Sequence, residues 1–153
     1  MIGSEQSKIL VLGYGNTLRC DDAVGPLVVE TVAGLRLPGV ETLVAALLTP
    51  ELADPISRAA TIVFVDAAMD APREVQLRPC APAETSQIMA HAADPKTMLA
   101  LARDVFGHTP EAYLLTIPVE NLAIGEELSP LAREGMARAV EVLRGLAQGL
   151  QNE

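Results

Sequence analysis

Two adjacent carboxylates, Asp21 and Asp22, follow a glycine turn in the segment Gly13-Tyr14-Gly15-Asn16-Thr17-Leu18-Arg19-Cys20-Asp21-Asp22-Ala23-Val24-Gly25. A third, Asp66, closes the apolar run Thr61-Ile62-Val63-Phe64-Val65, and His91 is one of only 2 histidines in the chain. These residue types admit three chemistries. The amides of a glycine turn can cradle phosphate, carboxylates can move a proton, and two hard carboxylates with one imidazole can bind a divalent transition metal if they converge. A plainer reading stands beside each one. Aspartate is a common helix cap and an ordinary strand terminator, and a loop histidine can simply be solvated.

Several chemistries are disfavoured directly. A dinucleotide loop wants a third glycine where Leu18 stands, and no Gly-Lys-Ser/Thr triplet of a triphosphate loop occurs. Asp21 and Asp22 would also repel phosphate where a helix dipole should attract it. Cys20 lacks a helix-start cysteine motif to activate it as a thiol nucleophile, and no Gly-x-Ser-x-Gly elbow is present. An aspartic-protease dyad of Asp21 and Asp22 is disfavoured, because adjacent residues rarely present both side chains to one water. His108, beside Gly107, is expected in an exposed turn. An acid/base site and a metal site remain open.

The elements that must position these groups follow from composition and periodicity. The chain has 153 residues, enough for one domain over 1–153 with a real core and a flexible lead-in at 1–7. Apolar residues make up 50% and aromatics only 3%, so the core must be Leu, Val, Ile and Ala, as in parallel sheets covered by helices. The formal charge of -9 argues against nucleic acid as a partner. No signal-peptide pattern or membrane-length apolar run occurs, so a cytoplasmic protein without membrane insertion is expected. Cys20 and Cys80 are too few and too far apart to suggest a disulfide framework.

Ile9–Leu12 reads as a buried strand. Val24–Leu35 reads as a helix with Leu27, Val28, Thr31 and Leu35 on one side and Pro26 in the first turn. Val40–Leu48 is a second strand, and Thr49-Pro50-Glu51-Leu52 a helix opening capped by Thr49. Thr61–Val65 is the central strand, ended by Asp66, and Glu74–Arg78 a short edge strand. A helix over Lys96–Phe106 closed by Gly107, a strand over Ala112–Ile117, and a long helix opened by Ser129-Pro130 complete the chain. In that last helix Ala132, Met136, Ala139, Val140, Leu143, Leu146 and Ala147 recur at helical spacing. The alternation predicts a three-layer α/β domain with a largely parallel sheet. Functional residues should gather at the carboxyl ends of its strands.

The chain resembles the hydrogenase maturation endopeptidases. The resemblance is carried by Gly13-Tyr14-Gly15-Asn16-Thr17-Leu18 with Asp21, Asp22 and Gly25, by Asp66, and by His91 followed by Met98, Leu99, Leu101 and Gly107. It implies a twisted five-stranded sheet between helices. It also implies that Asp22, Asp66 and His91 contact metal and carry catalysis, while Gly13, Gly15, Asn16 and Asp21 support the loop. The implied reaction removes a C-terminal extension from the large-subunit precursor of a nickel–iron hydrogenase after nickel insertion. Nickel would be presented by the substrate rather than bound permanently, and the protein would act as a monomer. One departure stands out. Where many members carry an Asp-Gly-Gly-Thr-like segment thought to select the substrate, this chain has Leu47-Leu48-Thr49-Pro50-Glu51-Leu52, which resembles the variant serving a different hydrogenase class. Thr49, Pro50 and Glu51 are thus the candidate selection residues. The competing readings are a non-proteolytic, nickel-recognising accessory or chaperone, and a small α/β hydrolase acting on a free metabolite.

Overall fold

The computed structural model describes residues 9–69, 72–86 and 94–151. The expected lead-in at 1–7 and His91 lie outside the described residues. In chain order the elements are β1 (Ile9–Tyr14), α1 (Val24–Leu35), β2 (Val40–Ala45), α2 (Ala53–Ser57), β3 (Thr61–Ala68), β4 (Gln76–Pro79), α3 (Pro95–Phe106), β5 (Glu111–Pro118) and α4 (Pro130–Gln151). Short 3-10 helices at Cys20–Ala23 and Pro50–Leu52 lead into α1 and α2.

Among the described residues the strands form one sheet in the order β2-β1-β3-β5-β4. β1, β2, β3 and β5 run parallel, and β4 pairs antiparallel with β5 at the edge. The chain leaves β1 for β2 on one side and returns to β3 on the other. The strand order therefore reverses between β1 and β3, and the carboxyl ends of these strands flank the crevice where such folds place their ligands.

The alternation of side chains along each strand feeds two cores. Ile9, Val11, Val63, Val65, Leu115 and Ile117 face α1 and α4. Leu10, Leu12, Ile62 and Phe64 face α2 and α3, where they meet Ile56, Met98 and Leu99. Each fully buried Leu, Ile or Phe of this kind is worth about 1.5–3 kcal/mol relative to exposure. The three-layer, mostly parallel five-stranded α/β fold is as expected.

Four local expectations need correction. The buried face of α1 is Val24, Gly25, Val28, Val29 and Val32, whereas Thr31 is exposed and its hydroxyl donates to the Leu27 carbonyl at 2.9 Å. The helix is rotated because Gly25 must lie against β1 and β3, as described below. β2 stops at Ala45 rather than Leu48, where its partner β1 runs out at Tyr14. The edge strand is Gln76–Pro79 rather than Glu74–Arg78, in register with Thr116 to Tyr113 of β5. Thr49 precedes the Pro50–Leu52 turn without a side-chain capping bond. Its hydroxyl instead donates to Glu51, which holds that carboxyl below its ordinary value.

Candidate active site

The glycines of the first loop serve close backbone packing. A Cβ on Gly25 would lie 2.6 Å from the Val65 carbonyl oxygen and 2.8 Å from that of Tyr14. A Cβ on Gly13 would collide with the Gly25 carbonyl and the Val29 side chain. The start of α1 is thereby pressed against the ends of β1 and β3. Gly15 has φ of 153°, and a side chain there would strike the Asp22 carbonyl oxygen. Asp22 is thus folded back onto the strand end that precedes it. Cys20, in the left-handed region at φ 43°, is buried beneath Gly125 rather than offered as a nucleophile.

Asp22 is half-buried, and its Oδ2 accepts the Asn16 backbone N–H at 2.7 Å. Asn16 in turn accepts the Leu18 N–H on its side-chain oxygen at 2.9 Å, an Asx turn that stiffens the loop. Neither aspartate caps α1, whose N-terminal residue Ala23 makes no side-chain capping bond.

Asp21 has a different task. It is fully buried and accepts the backbone N–H groups of Glu120 and Asn121 at 3.0 Å and of Ser129 at 2.8 Å, together with the Ser129 hydroxyl at 2.7 Å. Ser129 Oγ also accepts the Ala132 N–H at 3.1 Å and so caps α4. Burial pushes the Asp21 carboxyl up, but these bonds outweigh it and hold the group below its ordinary value. The acidic loop is clamped to the 119–129 segment through this one side chain.

Asp66 was expected to end its strand. It lies inside β3 instead, paired with Thr116 of β5, and two further residues continue the ladder. At the preceding step on the same sheet face, Leu43, Leu12, Phe64 and Leu114 lie side by side across the strands. One step on, the row changes to Ala45, Tyr14, Asp66, Thr116 and Gln76. The last turn of the pleat is polar where the core is apolar. The Tyr14 hydroxyl and the Asp66 carboxylate lie near enough for each to shift the other. Burial raises the Asp66 carboxyl, the Tyr14 and Ala67 hydrogen bonds oppose that rise, and the nearby charge of Asp22 adds to it. Burial and the Asp66 charge likewise push the Tyr14 phenol upward.

The structure therefore brings Asp22 and Asp66 together at the carboxyl ends of β1 and β3. His91 is outside the described residues, and among those described no group of three or more His, Cys, Asp or Glu side chains could hold a metal. Thr49, Pro50 and Glu51 follow β2 at the same end of the sheet. His108 sits at the opposite end, with Nε2 3.3 Å from the Ala59 carbonyl oxygen, and takes no part. Tyr14 carried no role in the sequence reading. Aligning Leu10, Leu12 and Tyr14 with Ile62, Phe64 and Asp66 as neighbouring alternating strands could have found it. Beside Asn16 an open groove of about 590 Å³ is lined by Leu18, Arg19, Leu122, Ala123 and Ile124.

No protein-family model matches the chain, and no curated protein matches it by sequence. Solved structures do. The hydrogenase maturating endopeptidase HybD from E. coli is 23% identical, with 93% of each chain covered and a TM-score of 0.70. The [NiFe] hydrogenase maturation protease HybD from Thermococcus kodakarensis is 25% identical over 92% of this chain and 99% of its own, also at 0.70. A [NiFe] hydrogenase maturation protease HycI from the same organism is 22% identical over 96% of both chains, at 0.68. The resemblance carried by the glycine loop and Asp66 thus extends through the architecture, and the chain has the fold of the hydrogenase maturation proteases.

Proposed function

We propose that this protein is an endopeptidase that removes the C-terminal extension of a nickel–iron hydrogenase large-subunit precursor after nickel insertion. It would act in the cytoplasm as a monomer that meets its precursor transiently. The observation that carries this reading is the meeting of Asp22 and Asp66, close enough for their charges to interact, in the crevice where the strand order reverses. The full-length likeness to named maturation proteases supports it.

Nickel enters this reading as part of the substrate. Two hard carboxylates are a thin donor set for a resident transition metal, and they suit an ion already held by the precursor, with His91 as the third contact. Such an ion supplies Lewis acidity to a neighbouring carbonyl. Asp22, fixed through Oδ2 by the Asn16 amide, and Asp66 near it orient the scissile segment. A carboxylate takes the proton of the attacking water as the new C–O bond forms and returns it to the leaving amine nitrogen as the peptide C–N bond breaks. Thr49, Pro50 and Glu51, at the same sheet end, are the proposed selection residues.

The test is to incubate the protein with its precursor, nickel-loaded and nickel-free, and to measure intact masses. Loss of a discrete C-terminal peptide from the loaded form alone is expected. Cleavage of both forms would retain the peptidase and reject the nickel requirement. No loss from either, with the metal centre verified, would overturn the peptidase in favour of a non-proteolytic accessory.

A further inference from the structure

Tyr14 has two anchors. Its ring packs on the core beneath α2 and α3, against the cluster that holds Leu12, Phe64 and Met98. Its hydroxyl lies near enough to the Asp66 carboxylate on the next strand for each group to shift the other. The register favours this pairing. Gly13 pairs with Val65, so one residue further along Tyr14 and Asp66 stand side by side on the same face. An aspartate at the end of an open sheet can swing its carboxylate about its last torsion. A tyrosine has only two side-chain torsions, and the ring of this one packs against the core. The donor is therefore the more constrained of the two and the acceptor is the group that must be aimed.

We propose that Tyr14 is a positioning residue for hydrolysis: its hydroxyl engages one oxygen of Asp66 and so fixes which oxygen faces Asp22 and the scissile segment. This rests on the endopeptidase reading above. The neighbouring groups are consistent with a built arrangement. Thr116 flanks Asp66 on its other side, and Tyr14 is the side chain that opposes the rise of the Asp66 carboxyl on burial. The arrangement differs from that of Asp22, which is held by a backbone amide and so cannot be altered by substituting its donor.

Tyr14→Phe keeps the ring in the core and deletes only the donor. With the full chain in excess over nickel-loaded precursor, the maximal single-turnover rate should fall by about 10- to 100-fold. The protein concentration giving half that rate should stay the same, while the thermal midpoint falls by no more than several degrees. In protein labelled with ¹³C-aspartate, the Asp66 carboxyl resonance should move in the variant while that of Asp21 stays in place. A wild-type maximal rate in Tyr14→Phe overturns the proposal, and so does an unmoved Asp66 resonance. Should wild-type protein itself fail to cleave, the endopeptidase reading falls, and the resonance still decides whether Tyr14 holds Asp66.

Discussion

Asp21 and Asp66 are both carboxylates withdrawn from water, and their surroundings treat them in opposite ways. Asp21 is enclosed completely and meets donors from Glu120, Asn121 and Ser129, so the charged form is the favoured one. Asp66 is half-buried on the sheet, receives the Tyr14 hydroxyl and the Ala67 amide, faces the charge of Asp22, and has its charged form disfavoured. A carboxylate whose oxygens are taken up by the fold holds segments together. One left under-supplied at a crevice is available to a substrate. By this contrast the two neighbours Asp21 and Asp22 separate as well: the first ties down residues 119–129, and the second returns to the strand ends beside Asp66.

The contrast can be broken most sharply by deletion. Asp21→Ala strands three amides and a hydroxyl in a buried place and should lower stability by about 3–5 kcal/mol. Asp66→Asn keeps the shape and removes a disfavoured charge, so its stability should lie within about 1 kcal/mol of wild type at neutral pH. Urea unfolding of both variants measures this. Equal destabilisation by the two would erase the distinction.

A smaller effect of opposite sign should appear on titration. Asp21 has a folded-state value below the ordinary 3.8, so its contribution is present above that pH and is lost as pH falls through the folded value. Asp66 has a folded-state value above 3.8, so the native state holds its proton longer and stability falls as pH rises from 3.8 through the folded value. Relative to wild type, Asp21→Asn should therefore become progressively less stable as pH rises and Asp66→Asn progressively more stable. Unfolding free energies across roughly pH 3 to 7 check both slopes.

Much of the scaffold was legible in the sequence. The limits of α1 at Val24 and Leu35 could be read from residue types alone, and β3, β5 and α4 from apolar runs and helical spacing. What was hidden depended on contacts between distant segments. The face of α1 is set by Gly25 meeting the carbonyls of Val65 and Tyr14, which no helical period encodes. Asp66 looks like a terminator in sequence and continues as strand because β5 pairs on past it. Asp21 reads as a local cap, yet its donors lie 99 to 108 residues away. Tyr14 looks like part of the glycine turn after Leu12, until β1 is seen to continue through it beside the end of β3. The glycine loop was conspicuous, but its purpose is close backbone approach.

The most direct test of the division between these carboxylates is cleavage of the nickel-loaded precursor by Asp66→Asn and Asp21→Asn, each at a temperature where it is shown to be folded. We expect Asp66→Asn to lose about 100-fold or more of the rate of C-terminal peptide release. Asp21→Asn, while folded, should cleave within about tenfold of wild type, since it acts through loop stability alone. Wild-type cleavage by folded Asp66→Asn would contradict the account.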